Sequence, residues 1–407
     1  MGESSRNIGQ RSVVNLKEAV IISAARTAVG KFGGTLKNYP APQMGAVTIA
    51  EAIERATLEP KDMQECIMGI VLSAGVGQNP ARQAALRAGL PVEIGSMNIN
   101  KVCGSGLKAV MLAASSVRAG ENDVVVAGGM ENMSAAPYLL MEGRFGYRLG
   151  DNKVIDHLVR DGLWDATTDQ HMGNTAEIVA ERHSVTRQEA DELSYQSHVK
   201  AAAAQKEGRF DREIVPVKMK AKKEEIEFRA DEGIRPDISM DALSKLRPAF
   251  KEGGMVTAGN ASQISDGAAA LVVASREYAE ERGIRPLATI VDYCTGGTRP
   301  EWIMEAPISA TRTLLERNGL TIGDIDLFEH NEAFASASVA VKRALNVPDP
   351  TFNVNGGAIA LGHPIGASGA RVLTTLLYAL QDRGARTGLC TLCLGGGNAV
   401  TMLVRRE

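Results

Sequence analysis

Two stretches of this 407-residue chain share one pattern, and this internal repeat constrains the fold most. They are residues 102–133 (VCGSGLKAVMLAASSVRAGENDVVVAGGMENM) and residues 362–399 (GHPIGASGARVLTTLLYALQDRGARTGLCTLCLGGGNA). Each begins with a turn of small residues, continues as an amphipathic helix and ends in a short apolar strand followed by glycines. Such a duplication predicts two similar α/β halves packed together.

The remaining elements are consistent with an α/β fold. The apolar runs at 18–26 and 288–296 predict strands, and residues 44–56 and 187–205 predict helices. The charged segment between the two halves, above all residues 217–237, is typical of an insertion. The predicted organisation is a flexible leader (1–16), an N-terminal half (17–133) completed by 262–285, an inserted loop domain (134–261) and a C-terminal half (286–407).

Composition excludes several classes of protein. Five scattered cysteines are too few for a disulfide framework, which predicts a reducing compartment. A formal charge of −3 gives no global field for nucleic acid or an anionic membrane, and no apolar run reaches the roughly 20 residues of a membrane span. We therefore expect a cytoplasmic protein whose partners are small molecules, with no nucleic acid and no membrane.

A thiol stands where the first repeat turns into its helix. Cys103 directly precedes a Gly-Ser-Gly step, and the positive end of a helix dipole favours thiolate over thiol. The glycines would let a substrate carbonyl approach backbone N–H groups that stabilise an oxyanion. These features predict a nucleophile of lowered pKa, although an isolated cysteine here is more often a small buried hydrophobe.

The second repeat carries a histidine at its turn. His363 stands between Gly362 and Pro364, ahead of another glycine turn into a helix. A lone histidine is usually structural, but the two turns match by internal symmetry. The two helix N-termini are therefore predicted to face one site, where the imidazole takes the thiol proton.

Two further candidates complete this set. Cys393 precedes three glycines, and Cys390 lies three residues earlier, so on a strand the two thiols point to opposite faces. A metal site is disfavoured for that reason, and because no second C-x-x-C or histidine pair completes one. Asn331 stands at a predicted strand-to-helix junction, where it either caps the helix or fixes a water or an oxyanion.

With these residues in view, the chain resembles the thiolases from about residue 17 to its end. The motifs that carry the resemblance occur in family order: AARTAVGKFGG, VCGSGLKA, GNASQISDGAAALV, NEAFA, NVNGGAIALGHPIGASGAR and CLGGGNA. The resemblance implies a thiolase-like fold, in which two duplicated halves with five-stranded mixed sheets form αβαβα layers beside an inserted loop domain.

The resemblance also implies catalytic roles. Cys103 would carry the acyl group as a thioester, and His363 would activate it and help hold the thioester oxygen with a water bound to Asn331. Cys393 would act as acid and base at the methyl group of a second acetyl-CoA. The backbone N–H groups of Cys103 and Gly395 would form a second oxyanion hole.

For the substrates, the resemblance implies acetyl-CoA, acetoacetyl-CoA and coenzyme A, with no cofactor besides coenzyme A as substrate and no metal. It also implies a homodimer or a homotetramer built as a dimer of dimers. The implied coenzyme A and acyl contacts are Leu163, His171, Met172, Arg235, Phe250, Ser262 and Phe334.

The sequence leaves the acyl-chain length open. The His-Met-Gly text at 171–173 favours a short-chain, acetoacetyl-CoA-forming enzyme, because His171 and Met172 would crowd out long acyl tails. Two departures weaken that argument. His330 would modify the water or the pocket, or point into solvent or core, and Ile303 stands where a pocket methionine is expected.

Three alternative functions remain open. The first is a 3-ketoacyl-CoA thiolase of broader or longer chain range. The second is a decarboxylating ketoacyl synthase, which Cys393 argues against. The third is a non-catalytic acyl-CoA or lipid-binding relative, which would lack at least one of the four catalytic side chains.

Overall fold

The computed structural model describes residues 16–221 and 224–407, so the predicted leader lies, except for residue 16, outside the described residues. The strands are β1 (Ala19–Thr27), β2 (Gly30–Lys31), β3 (Glu65–Gly69), β4 (Gly95–Ile99), β5 (Val124–Asn132), β6 (Tyr138–Leu139), β7 (Ile155–Asp156), β8 (Trp164–Asp165), β9 (Gln170–His171), β10 (Ile214–Val215), β11 (Val217–Ala221), β12 (Glu224–Phe228), β13 (Ser265–Ser275), β14 (Ala288–Gly297), β15 (Leu327–His330), β16 (Thr387–Leu394) and β17 (Asn398–Arg406).

The α-helices follow the predicted amphipathic segments closely. Those segments, 44–56 and 187–205, lie within or at the ends of the first and fifth helices. The helices are α1 (Ala41–Arg55), α2 (Pro80–Arg87), α3 (Ser105–Ala119), α4 (Met172–Arg182), α5 (Arg187–Lys206), α6 (Met240–Ser244), α7 (Arg276–Glu281), α8 (Ala306–Arg317), α9 (Ala335–Leu345), α10 (Ala358–Leu361) and α11 (Ser368–Asp382). Among the described residues, no helix is both long and apolar enough to cross a membrane.

The central strands form one mixed sheet in the order β15-β16-β17-β14-β1-β13-β5-β3-β4. The first half supplies β4, β3, β5, β13 and β1, and the second supplies β15, β16, β17 and β14. Antiparallel pairing of β1 with β14, Val20 opposite Thr289 and Ile21 opposite Ala288, joins them. The mixed α/β fold is confirmed, with the two half-sheets joined at one edge.

The duplication is visible in the strand pairings. In the first half β3 pairs parallel with β5, and β5 pairs antiparallel with β13. In the second half β15 pairs parallel with β16, and β16 pairs antiparallel with β17. The position that β4 holds in the first half is taken in the second by one parallel bridge between Phe328 and Phe352. The second half therefore has four strands where five were expected.

Two helices, α3 and α11, form the layer between the half-sheets. Their apolar residues share one core cluster with β5, β13, β16 and β17, while α1 and α2 cover the first half and α8 and α9 the second. A Cβ on Gly106 would lie 2.7 Å from the backbone nitrogen of Ala370, and one on Gly369 would lie 2.3 Å from that of Leu107. These equivalent glycines let the helix N-termini approach closely.

The chain between β5 and β13 contains the short strands β6 to β12 and the helices α4 to α6. The charged stretch within 217–237 forms the antiparallel hairpin of β11 and β12. The chain then returns as β13, which lies between β1 and β5. The insertion therefore connects two neighbouring strands of one sheet, β5 and β13. Its residues lie beside the turns that carry Cys103 and His363.

Candidate active site

Cys103 lies in the tight turn that leads into α3. The preceding residue, Val102, has a φ of 47°, which is strained for a β-branched side chain. The Val102 N–H donates to Asn100 Oδ1 at 2.9 Å. Ser105 Oγ accepts from the Lys101 N–H at 2.8 Å and donates to Val102 O at 2.6 Å. These bonds hold the turn that carries Cys103 in its strained shape.

His363 lies in the matching turn between α10 and α11. It follows Gly362, whose φ is 106°, and a Cβ at that position would lie 2.4 Å from Ser265 Oγ. Glycine is therefore required here by both backbone conformation and close approach. Ser368, the first residue of α11, holds the imidazole through a 2.5 Å contact between its Oγ and His363 Nδ1.

The hydrogen bonds of Ser368 assign the tautomer of His363. Ser368 Oγ donates its one hydrogen to Pro364 O at 2.8 Å, so it accepts from His363 Nδ1. This leaves His363 Nε2 unprotonated. Burial lowers the pKa of His363 to about 3, with Arg371 adding a smaller effect of the same sign. The side chain is thus a neutral imidazole with a free basic nitrogen.

Asn331 follows the last residue of β15, with α9 beginning at residue 335. Its Nδ2 lies 3.4 Å from His363 Nε2, and its buried Oδ1 has no hydrogen-bond partner among the residues that the structure describes. Phe334 is the residue before α9, so Asn331 does not cap this helix. Its amide is available to a substrate or solvent group.

Asn353 binds the backbone of the residue before Asn331 and the side chain of the residue after it. Its Oδ1 accepts from the His330 N–H at 2.8 Å, and its Nδ2 donates to His330 O at 3.0 Å and to Glu332 Oε1 at 2.7 Å. Ser197 Oγ donates to the same Glu332 carboxylate at 2.6 Å. Asn353 opens the NVNGG motif, but its bonds to residues 21 and 23 positions earlier in the chain are not visible in that motif.

Cys393 lies near the end of β16, and Gly395 follows in the turn to β17. The two thiols of the C-x-x-C pair do face opposite ways: Cys390 packs in the core around α11, while Cys393 belongs to the cluster that contains Phe334 and Met304. Burial raises the pKa of Cys393 to about 12. No group of three metal-ligating side chains occurs within 16–221 and 224–407.

One cavity of about 570 Å³ brings most predicted site residues together. Cys103, His363, Cys393 and Gly395 line it, while Asn331 lies behind the lining in contact with His363. Of the predicted coenzyme A and acyl contacts, the lining includes Leu163, His171, Met172, Phe250, Ser262 and Phe334. Arg235 is exposed and does not line the cavity.

An aromatic wall forms one side of this cavity. The His171 ring stacks on Phe250 at a centroid distance of 4.7 Å, and Phe250 meets Phe334 edge-on at 6.2 Å. His171 Nδ1 also accepts from the Gly173 N–H at 3.0 Å and so caps α4. A Cβ on Gly173 would lie 2.2 Å from Phe250, which explains the glycine after Met172.

The pKa of Cys103 differs from the sequence-based expectation. The helix N-terminus predicted a lowered value, but burial, reinforced by the neighbouring Cys393, raises the pKa of the Cys103 thiol. Loss of solvation penalises the thiolate more than the helix end favours it. The raised pKa favours the protonated thiol.

The two departures noted in the sequence lie in different places. Ile303 is buried and lines the cavity. His330 is buried outside it, where its Nδ1 lies 2.9 Å from Ser338 Oγ on α9 and its ring stacks near Phe352. Burial lowers the pKa of His330 to about 3, so it is a neutral core side chain.

Glu131 is a buried acid beside the site that was not among the candidates from the sequence motifs. Its carboxylate accepts from the N–H groups of Val71 (3.0 Å), Leu72 (3.1 Å) and Gly366 (2.9 Å), and so ties the two halves together. Burial raises its pKa to about 7 against the opposing effect of these three donors. Its position in the sequence GGMEN, at the end of a predicted apolar strand, was the feature that could have indicated a buried carboxylate here.

Comparison with known proteins agrees with this geometry. The family model described as Thiolase, N-terminal domain, matches residues 19–277, and that described as Thiolase, C-terminal domain, matches residues 284–406. The chain is 52% identical over 393 residues to an acetyl-CoA acetyltransferase of Cupriavidus necator, covering 96% of this chain and all of the relative.

Other similar proteins carry the same name. An acetyl-CoA acetyltransferase of Escherichia coli is 52% identical over 392 residues, again covering 96% of this chain and all of the relative. The crystal structure of the Bacillus anthracis acetyl-CoA acetyltransferase matches with a TM-score of 0.95 at 40% identity, covering 97% of this chain and all of that one. This chain belongs to the thiolase family.

Proposed function

We propose that this protein is an acetyl-CoA C-acetyltransferase, which condenses two acetyl-CoA molecules reversibly to acetoacetyl-CoA and coenzyme A. The observation that carries the proposal is the meeting of two thiols and a neutral imidazole, Cys103, Cys393 and His363, in one cavity. The names of the relatives that match nearly the whole chain support the same activity.

In the first half-reaction, Cys103 is the nucleophile. His363 Nε2 takes the thiol proton, the sulfur attacks the thioester carbon of acetyl-CoA, and the carbon–sulfur bond to coenzyme A breaks. The leaving thiolate takes a proton from Cys393. His363 and a water held by Asn331 stabilise the negative charge on the thioester oxygen.

In the second half-reaction, Cys393 is the base. Its thiolate removes a proton from the methyl group of a second acetyl-CoA, and the backbone N–H groups of Cys103 and Gly395 hold the enolate oxygen. The carbanion attacks the acetyl group on Cys103, which leaves as a thiolate and regains its proton from His363. Because one thioester replaces another, the same site supports cleavage of acetoacetyl-CoA by coenzyme A.

Coenzyme A binding extends from this centre toward the inserted segment. We assign the acyl and pantetheine contacts to Leu163, His171, Met172, Phe250, Ser262 and Phe334, with His171 stacked on Phe250. Arg235, exposed beyond the cavity, is available to a phosphate of the ligand. The reaction as proposed uses no metal and no cofactor besides coenzyme A as substrate.

In the same proposal, the protein works in the cytoplasm as a homotetramer. Support for self-association comes from the segment around β6 and β7, which exposes large apolar side chains that a solvated surface does not favour. These are Tyr138, Leu140, Met141, Phe145, Leu149 and Val154.

The test is cleavage of acetoacetyl-CoA by coenzyme A, measured beside 3-ketohexanoyl-CoA and 3-ketodecanoyl-CoA. We expect rapid cleavage of the four-carbon substrate, and a loss of about 1,000-fold or more in Cys103→Ala. Good activity on the longer thioesters would favour the broader thiolase. Inactivity of folded protein on all three would favour the acyl-CoA-binding alternative.

A further inference from the structure

Met304 lies against the second cysteine of the site. Its Sδ is 3.6 Å from Cys393 Sγ, so the thiol donates to the thioether. Met304 is 2% exposed and lines the catalytic cavity beside Ile303. Ile303 and Met304 share one buried cluster with Phe334 and Cys393. No role for Met304 follows from the mechanism above.

The segment that carries Met304 is anchored from the outside. Glu305 Oε2 accepts from Arg182 Nε at 2.8 Å and contacts His183 Nε2 at 2.6 Å. The Arg182 guanidinium also lies 3.8 Å from the centroid of the Trp302 ring. Residues on both sides of Met304 are therefore tied to the end of α4. A larger substrate would meet a backbone held in place, with only the side-chain rotamers free to adjust.

We infer that Met304 determines specificity at C2 of the substrate by excluding 3-ketoacyl-CoA molecules that carry a methyl group on this carbon. The inference rests on the proposed function, because it places C2 next to the acid and base of the reaction. It concerns the substituent on C2, whereas chain length concerns the carbons beyond the 3-keto group that bind on the Cys103 side.

The chemistry of cleavage fixes where C2 must lie. Cys103 attacks the 3-keto carbon, the bond between C2 and C3 breaks, and its electron pair becomes the enolate of the leaving acyl-CoA. Cys393 gives its proton to C2 and regains one from the coenzyme A thiol that then releases the acyl group from Cys103. C2 must therefore lie in contact with Cys393 Sγ at the moment of proton transfer.

A C2 methyl group competes with Met304 for space. A carbon bonded to C2 stays within the contact shell of the Cys393 sulfur, and the Met304 thioether already occupies part of that shell. Cys393 is itself 2% exposed, so neighbouring atoms close the rest of its surroundings except toward the cavity. Close packing makes an added methyl costly where the wall is anchored.

The experiment compares kcat/KM for acetoacetyl-CoA and 2-methylacetoacetyl-CoA in the full-length protein. We expect the wild type to prefer the unbranched substrate by about tenfold or more. Met304→Ala should raise the relative value for the branched substrate by about tenfold, and Met304→Leu, which conserves volume, should leave the ratio within about threefold of wild type. Ile303→Ala, which enlarges the same cavity at the neighbouring residue, is the matched control and should not change the ratio.

Several outcomes would overturn the inference. They are equal wild-type activity on both substrates, an unchanged ratio in a folded Met304→Ala protein that still cleaves acetoacetyl-CoA, or a gain confined to 3-ketohexanoyl-CoA. If Met304→Ala does not fold by circular dichroism, Met304→Val answers the same question with a smaller cavity. Absence of acetoacetyl-CoA cleavage in the wild type would instead contradict the proposed function.

Discussion

The two turns that carry Cys103 and His363 differ in the residue that takes up a positive φ. In each, the reacting residue directly follows a residue with positive φ, 47° at Val102 and 106° at Gly362. The second half uses glycine, for which this conformation costs little. The first half uses valine, for which it is strained; the Val102 N–H donates to Asn100 Oδ1, and Val102 O accepts from Ser105 Oγ. The two halves therefore place their positive-φ residues differently, Val102 three residues before Ser105 and Gly362 six residues before Ser368.

The turns also differ in where the reacting side chain stands. Ser105 and Ser368 each open one of the two central helices. Cys103 stands two residues before its serine and His363 five residues before its own. A symmetrical scaffold therefore presents a thiol from one half and an imidazole from the other, which two identical turns would not do.

Among the substitutions in the two turns, Gly362→Ala should have the largest effect on stability and activity. Its Cβ would lie 2.4 Å from Ser265 Oγ and 2.7 Å from Val29 Cγ1, at a φ that alanine rarely adopts. We expect the free energy of unfolding to fall by about 3 kcal/mol or more, with loss of activity as His363 moves. Chemical denaturation measures this, with Gly323→Ala, whose nearest neighbour is 3.6 Å away, as control. A loss below about 1 kcal/mol would show that the turn tolerates a Cβ.

Substitution of the two serines that begin the central helices should affect different quantities, kcat for Ser368 and the free energy of unfolding for Ser105. Ser368→Ala removes the acceptor that fixes the His363 tautomer, so we expect kcat for acetoacetyl-CoA cleavage to fall by about tenfold with little change in KM. Ser105→Ala leaves the Lys101 N–H without its acceptor and should cost about 1–2 kcal/mol of unfolding free energy with a smaller loss of kcat. Equal losses of kcat in the two variants would contradict distinct roles for the two turns.

Val102→Gly should have the smallest effect. It relieves strain of about 1–3 kcal/mol but loses side-chain packing and adds about 1 kcal/mol of backbone entropy to the unfolded chain. These changes offset, so we expect the unfolding free energy to change by less than about 1 kcal/mol. The control is Val126→Gly, at a fully buried strand position with ordinary backbone, which should cost about 3 kcal/mol or more. A loss as large as that control would show that Val102 is not strained.

Much of the fold was predictable because its signals are local. The apolar runs at 18–26 and 288–296 became β1 and β14, and the periodic segments became α1 and α5. The repeat predicted two similar halves. It did not predict the pairing of β1 with β14, which joins the halves in one sheet, because this pairing depends on how two separately formed edges meet.

The candidate site was predictable to a similar degree. The turn motifs indicated Cys103, His363, Cys393 and Asn331, and the family resemblance added seven residues of the cavity lining: Leu163, His171, Met172, Phe250, Ser262, Phe334 and Gly395. Met304 was not predictable as a site residue, because only its contact with Cys393 places it in the site. Cys393 lies 89 residues further along the chain. The predicted lowering of the Cys103 pKa was wrong: burial raises it, and the extent of burial depends on all the residues packed around the thiol.

The sequence by itself determined the duplicated α/β plan, the thiolase resemblance and the residue types of the chemistry, since these follow from periodicity and motifs within short stretches. The tertiary structure decided which nitrogen of His363 is basic, that burial keeps the thiols protonated, and that Met304 faces Cys393. Those properties depend on contacts and solvation across the two halves, and both arise only when the halves pack together.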